Sequence, residues 1–238
     1  MMKKLLILFV IILFVSCKKD AENKNEITHN VQQYTIEQFM DNEAVGGGSF
    51  SFDNSKLLIS SNRSGIYNVY SISTSGGEYT SITASDSTSM FAESYFPNDD
   101  RILFSADGNG DEIDHLFMIS TDGSITDLTP EKGAKSSFYG WNADKSGFYY
   151  GSNKRDPRFF DVYEMNINDF NSSLVYQNND GLDFRGISND KKYIALAKSL
   201  NTNDSDLFIY NLQTNEKTKT RTATETHQGY WQNQLVLT

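Results

Sequence analysis

Three histidines, one cysteine and a few clustered carboxylates are the groups in this chain with the means to do chemistry. A hydrolytic serine of the strand-to-helix type needs G-x-S-x-G, and neither Gly46-Gly47-Gly48-Ser49-Phe50 nor Gly186-Ile187-Ser188-Asn189 fits. Gly46 to Gly48 read instead as a flexible entry into the first repeat. His29, His115 and His227 lie far apart, none with a second histidine at metal-ligand spacing, so all three read as structural or exposed. Asp107-Gly108-Asn109-Gly110-Asp111 places oxygens at alternate positions, as a calcium loop does. Glu112 stands where that loop needs glycine, however, and Met118 where it needs glutamate. A polar hairpin turn fits better, with adventitious calcium binding as the alternative. Asn153-Lys154-Arg155-Asp156-Pro157-Arg158 is the largest basic cluster on any turn and reads as solvated or ion-paired rather than ligand-facing. The expectation is therefore no catalytic residue, no metal site and no cofactor, with substrate-binding residues unidentified.

These residues are carried by an internal repeat. Phe52, Phe96, Trp141, Ile187 and Trp231 each precede or open an acidic, Asn-rich turn, at spacings of 44, 45, 46 and 44. A blade of four short antiparallel strands takes about 40 to 50 residues, so that period selects a β-propeller. In the first copy the turn leads to Leu57-Leu58-Ile59, then the alternating Ile66 to Ile72, then Gly76-Gly77 and Tyr79 to Thr83. The copies beginning at Phe96, Trp141 and Ile187 keep the same order of parts. Runs of Ile, Val, Tyr and Phe bounded by Gly, Asn, Asp and Ser read as strands, and Gly-Gly or Asp-Gly as hairpin turns. The strand aromatics, among them Tyr70, Phe104, Tyr150, Tyr163 and Phe208, are enough to fill the wedges between blades. The expected fold is all-β: a propeller domain over 34–238 with four complete blades, starting near 52, 96, 141 and 187, and the first strand of a fifth near 231. An incomplete ring is expected, a closed four-bladed ring with a closure strand being the alternative. The one helix signal is Thr35 to Met40, with Thr35 as cap, packing at the rim.

Ahead of the repeats, Lys3-Lys4 precede an apolar run from Leu5 to Val15, too short to span a bilayer comfortably, and then Ser16-Cys17. This resembles a bacterial lipoprotein signal peptide over residues 1–16, which implies lipidation of Cys17; an uncleaved anchor with a chance cysteine is the alternative. Residues 17–33 are polar, as a tether is. The resemblance places the domain in the bacterial cell envelope, lipid-anchored, on the periplasmic or outer-surface side. Removing residues 1–16 takes Lys3 and Lys4 with it, changing the formal charge from −10 to −12. Such an acidic chain is a poor fit to nucleic acid, whose phosphates need a basic footprint. With Cys17 acylated, no thiol is left for a disulfide or a cysteine-bound metal.

The repeated unit of aromatic, Asn/Asp turn, apolar strand, Asn62-Arg63-Ser64-Gly65-type turn, Ile66-Tyr67-Asn68-Val69-Tyr70-type strand and Gly-Gly or Asp-Gly hairpin resembles the blades of Tol-type propellers. It is also similar to the N-terminal propeller of the prolyl oligopeptidase family of serine peptidases. Tyr34 to Met40, Phe138-Tyr139-Gly140-Trp141 and Tyr150 to Asp161 favour the second, in its lipoprotein form. That resemblance implies a propeller that caps a C-terminal α/β-hydrolase domain and restricts its Ser-Asp-His machinery to short peptides. Its implied partners are that hydrolase domain, peptide substrates and the membrane through the lipid. No stretch here corresponds to the hydrolase, so this chain is expected to be inactive alone. A stand-alone envelope lipoprotein that docks a protein or ligand on its rim is the second reading.

Overall fold

A computed structural model of the protein describes residues 31–221, and two compact units divide at Asn42 and Glu43. In the first, helix α1 (Ile36–Met40) starts as the sequence predicts. Thr35 accepts a hydrogen bond from the Gln38 amide and the Gln38 side chain accepts one from the Thr35 amide, which is a capping box. None of its residues is buried.

The second unit is four antiparallel sheets of four strands, each formed by consecutive strands in chain order. Blade 1 is β1 (Val45–Phe50), β2 (Lys56–Ser61), β3 (Asn68–Ser73) and β4 (Thr80–Ser81). Blade 2 is β5 (Met90–Tyr95), β6 (Ile102–Ala106), β7 (His115–Ile119) and β8 (Ile125–Asp127). Blade 3 is β9 (Ser136–Trp141), β10 (Gly147–Asp156), β11 (Phe159–Asn166) and β12 (Ser172–Tyr176). Blade 4 is β13 (Asp183–Ile187), β14 (Tyr193–Asn201), β15 (Asp204–Asn211) and β16 (Glu216–Arg221). The fifth copy, with Trp231, lies outside the described residues.

Strand register refines the repeat. The last residue of each first strand pairs with the second strand at one equivalent place: Phe50 with Leu57, Tyr95 with Ile102, Trp141 with Phe148 and Ile187 with Ile194. Those positions are 45, 46 and 46 residues apart. The landmarks Phe52 and Phe96 stand two residues and one residue beyond them, and the blades begin earlier, at Val45, Met90, Ser136 and Asp183. The slip arises because the most visible aromatic is not always the strand's last residue. Phe52 is a turn residue, 53% exposed. Phe96 is fully buried at the place where blades 1, 3 and 4 have Ser51, Asn142 and Ser188. Those three close the turn by accepting the amides of Lys56, Gly147 and Tyr193. Phe96 has no acceptor to offer, and the Arg101 guanidinium lies over its ring at 4.3 Å instead.

A blade cannot hide both faces alone, and the cores lie between sheets. Leu58 and Val69 of blade 1 pack with Tyr95, Ile102 and Phe104 of blade 2. Phe96, Leu103 and Leu116 pack with Phe148, Tyr150 and Met165 of blade 3, and Tyr149 and Val162 with Ile194 and Leu196 of blade 4. Each such side chain stabilises the packed state by about 1.5–3 kcal/mol relative to exposure. Among the described residues no cluster joins blade 4 back to blade 1: the sheets do not close into a ring.

Candidate functional site

A β-bulge interrupts the first strand of every blade at the same depth. In blade 1 it takes in Gly47 and Gly48, between the Gly46–Ser60 and Ser49–Leu58 pairs. Glu93 is the extra residue in blade 2, Tyr139 in blade 3 and Arg185 in blade 4. Gly46 to Gly48 thus belong to a strand, where the sequence suggested a loose entry, and Gly47 has the positive φ (78°) that glycine tolerates. A bulge breaks the alternation of side chains and re-aims one of them. Here it sets what occupies the slot against the next blade.

Between blades 3 and 4 the slot is filled. The Tyr139 ring stacks on Phe184 with centroids 4.9 Å apart and planes 12° apart, and burial, aided by the Asp183 charge, pushes its hydroxyl up to about 12. Room for it comes from Gly151, where a Cβ would fall on the Tyr139 ring and hydroxyl. Between blades 2 and 3 the equivalent bulge residue is the smaller Glu93, and Ser105 replaces the glycine. The result is a cavity of about 320 Å³, lined by Phe91, Glu93, Ser105 and Asp114 on one side and Ser136, Ser137 and Phe138 on the other.

Glu93 Oε1 accepts a 2.7 Å hydrogen bond from Ser105 Oγ. Burial pushes its carboxyl above the ordinary value; the Ser105 bond opposes that and the Asp114 charge adds to it. No cation pairs with Glu93 among the described residues, whereas Asp114 is held by Lys135 Nζ at 2.7 Å. Ser136, 2% exposed, makes no side-chain hydrogen bond.

The candidate site residues singled out from the sequence that lie among the described residues stand outside this slot. His115 Nδ1 sits 2.8 Å from Asp127 Oδ2 with Phe117 stacked on its ring, and no serine or threonine hydroxyl meets its other nitrogen among the described residues. In the Asp107–Asp111 turn the carboxylates are used up on backbone: Asp107 accepts from Gly110 and Glu112, and Asp111 from Gly108 and Ile113. Its left-handed residues are Asn109, Gly110 and Glu112 rather than Gly108. The basic cluster is ion-paired. Arg155 forks onto the fully buried Asp161 at 2.6 and 2.8 Å, Arg158 onto Asp156, and Lys154 reaches Glu131. Among the described residues no group of three or more His, Cys, Asp and Glu is placed to hold a metal. Cys17, His29 and His227 lie outside the described residues.

A sequence model of the prolyl oligopeptidase N-terminal β-propeller domain matches residues 41–235. The chain belongs to that family. Solved structures similar to this prolyl oligopeptidase propeller include TolB from Acinetobacter baumannii, at 17% identity and a TM-score of 0.56 over 74% of this chain and 43% of that one. An oligogalacturonate lyase in complex with manganese matches at 17% identity and TM-score 0.57, over 73% of this chain and 52% of the lyase. A prolyl endopeptidase matches at 14% identity and TM-score 0.51, over 74% of this chain and 29% of that one. The propeller thus spans about half, or less, of the length of these structures, and at such identities they speak for the fold alone. No curated protein sequence matches the chain.

Proposed function

We propose that this propeller is the non-catalytic part of an exported prolyl oligopeptidase-family serine peptidase, binding or gating short peptides for an α/β-hydrolase domain. The carrying observation is the family match over residues 41–235. Two features support the reading. The cavity that holds Glu93, whose carboxylate has no cation partner among the described residues, lies between blades and is lined by three serines. His115 meets Asp127 and, among the described residues, no serine or threonine hydroxyl. The exported, lipid-anchored form rests on Leu5 to Cys17.

The test is a pair of measurements on the full chain. Short proline-containing peptides are expected to bind in a calorimetric titration while chromogenic peptide amides stay uncleaved. Turnover that a serine-directed inhibitor abolishes would show a catalytic chain, and no binding by any peptide in a length series would remove the gating role. Intact mass of membrane-extracted protein is expected to show acyl chains on Cys17; an unmodified chain beginning at Met1 would overturn the anchor.

A further inference from the structure

Three slots follow the same bulge, and one of them combines free volume with an uncompensated charge. Between blades 1 and 2 the bulge offers only Gly48, and between blades 3 and 4 Tyr139 fills the space. Between blades 2 and 3 the space is left to Glu93. We propose that this slot binds a primary ammonium group on a short methylene stem, the chemistry of a lysine side chain or a free alkylamine. The proposal deepens the peptide-binding reading by naming a residue class, and rests on that reading only for where the amine comes from.

The lining fits this ligand in each of its parts. Glu93 supplies one negative charge that no cation among the described residues answers, because Lys135 is spent on Asp114 and on the Glu112 carbonyl at 3.0 Å. Ser136 and Ser137 line the opposite wall, with Ser136 itself 2% exposed. Phe91 and Phe138 line the slot and offer apolar surface to the stem. About 320 Å³ is roughly ten water volumes at about 30 Å³ each, space enough for four methylenes.

Competing cations fit less well. A guanidinium wants a planar fork onto both oxygens of a carboxylate, and Ser105 already takes one of the two lone pairs of Glu93 Oε1. A divalent metal wants several anionic oxygens, and the slot has one free carboxylate. An ammonium is a compact charge with three donors, which one carboxylate oxygen, the Ser137 hydroxyl and water in the slot can share.

Binding to the full chain would be measured by calorimetry with n-butylamine and Nα-acetyl-lysine methylamide, against Nα-acetyl-norleucine methylamide. Both amines are expected to bind with a Kd on the order of 1 mM, and norleucine not to bind. Glu93→Gln, nearly the same shape, is expected to weaken the amines by about tenfold or more. Ser136→Leu, which fills the slot and keeps Glu93, is expected to abolish binding. Equal binding of norleucine, unchanged affinity in a folded Glu93→Gln protein, or amine binding that survives Ser136→Leu would each overturn the site. A proline-containing peptide with lysine is then compared with its norleucine counterpart. Free amines that bind while neither peptide does would keep the slot and remove the peptide reading; amines that fail to bind remove the slot whatever the peptides do.

Discussion

Ser94 ties three blades together through one hydroxyl. Its Oγ accepts the Trp141 indole N–H of blade 3 at 2.9 Å, shares a 3.1 Å hydrogen bond with Ser49 of blade 1 and donates to its neighbour's carbonyl at 2.7 Å. Ser94→Ala should leave the indole donor unanswered and cost about 1–3 kcal/mol in urea unfolding. In the background of Trp141→Phe, which has no donor, the same change should cost measurably less; additive losses would deny the link. Glu93 carries a charge whose effect on stability has a definite sign. Its carboxyl is raised above 4.5, so the unfolded chain ionises first and the native state is penalised as pH rises from that ordinary value through the raised one. Asp114, with Lys135 beside it, is the charged group acting on it from the neighbouring segment. Glu93→Gln should therefore raise the melting temperature at pH 7 by about 2–4 °C, on the order of 1 kcal/mol, and change little at pH 3. A gain of equal size at both pH values would refute the assignment. From the sequence alone Glu93 is invisible as a site residue: in Met90–Tyr95 it reads as one polar position of an alternating strand. Ser136 is equally plain, since nothing in its neighbours tells that its hydroxyl goes unanswered. The ion pairing of the basic cluster was legible because Asp156 stands between Arg155 and Arg158 along the chain.

At the scale of the strand, the bulge is the device that turns one repeat into three different interfaces. Blade count, strand order and the hairpin turns were legible, because period and turn chemistry are local. The bulges were not, because a register shift is a relation between two strands. A partial trace existed: Gly140 and Gly186 directly follow Tyr139 and Arg185, and Gly47–Gly48 stand at the same depth of blade 1. Such glycines one to three places before the strand's end mark backbone that departs from regular pleating. The Tyr139 slot makes this testable. Gly151→Ala puts a methyl group against a half-buried, stacked ring and should cost about 1–3 kcal/mol. Tyr139→Ala alone should cost about 3–5 kcal/mol through the cavity it leaves. In the double variant the alanine at 151 should add almost nothing, since the ring it strikes is gone. A full additive cost would mean that Gly151 is required by backbone geometry and not by Tyr139.

At the scale of the whole propeller unit, the open question for its physics is the face of blade 1 turned away from blade 2. Phe50, Leu57 and Ile72 share one row of the sheet by register, and Ile59 and Tyr70 the next. Phe50 is 59% exposed, and Val45, on the same strand, 52%. Tyr79 covers Tyr70 with its ring and is itself capped by Arg63 at 4.5 Å, so part of the face is shielded from within the blade and part is not. In a propeller such a face is the side of a wedge that another blade normally hides, and among the described residues no core cluster covers it. Contiguous apolar surface of this kind drives association, and a net charge of −10 opposes it most at low salt, where the repulsion is least screened. Sedimentation velocity on the full chain should therefore show self-association that grows with protein concentration and with salt. Phe50→Ser, which removes the largest exposed side chain of the row without touching an interblade core, should shift the distribution toward monomer while leaving the unfolding midpoint nearly unchanged. A wild-type chain that sediments as monomer at every salt concentration would mean that this face is already covered by the protein itself.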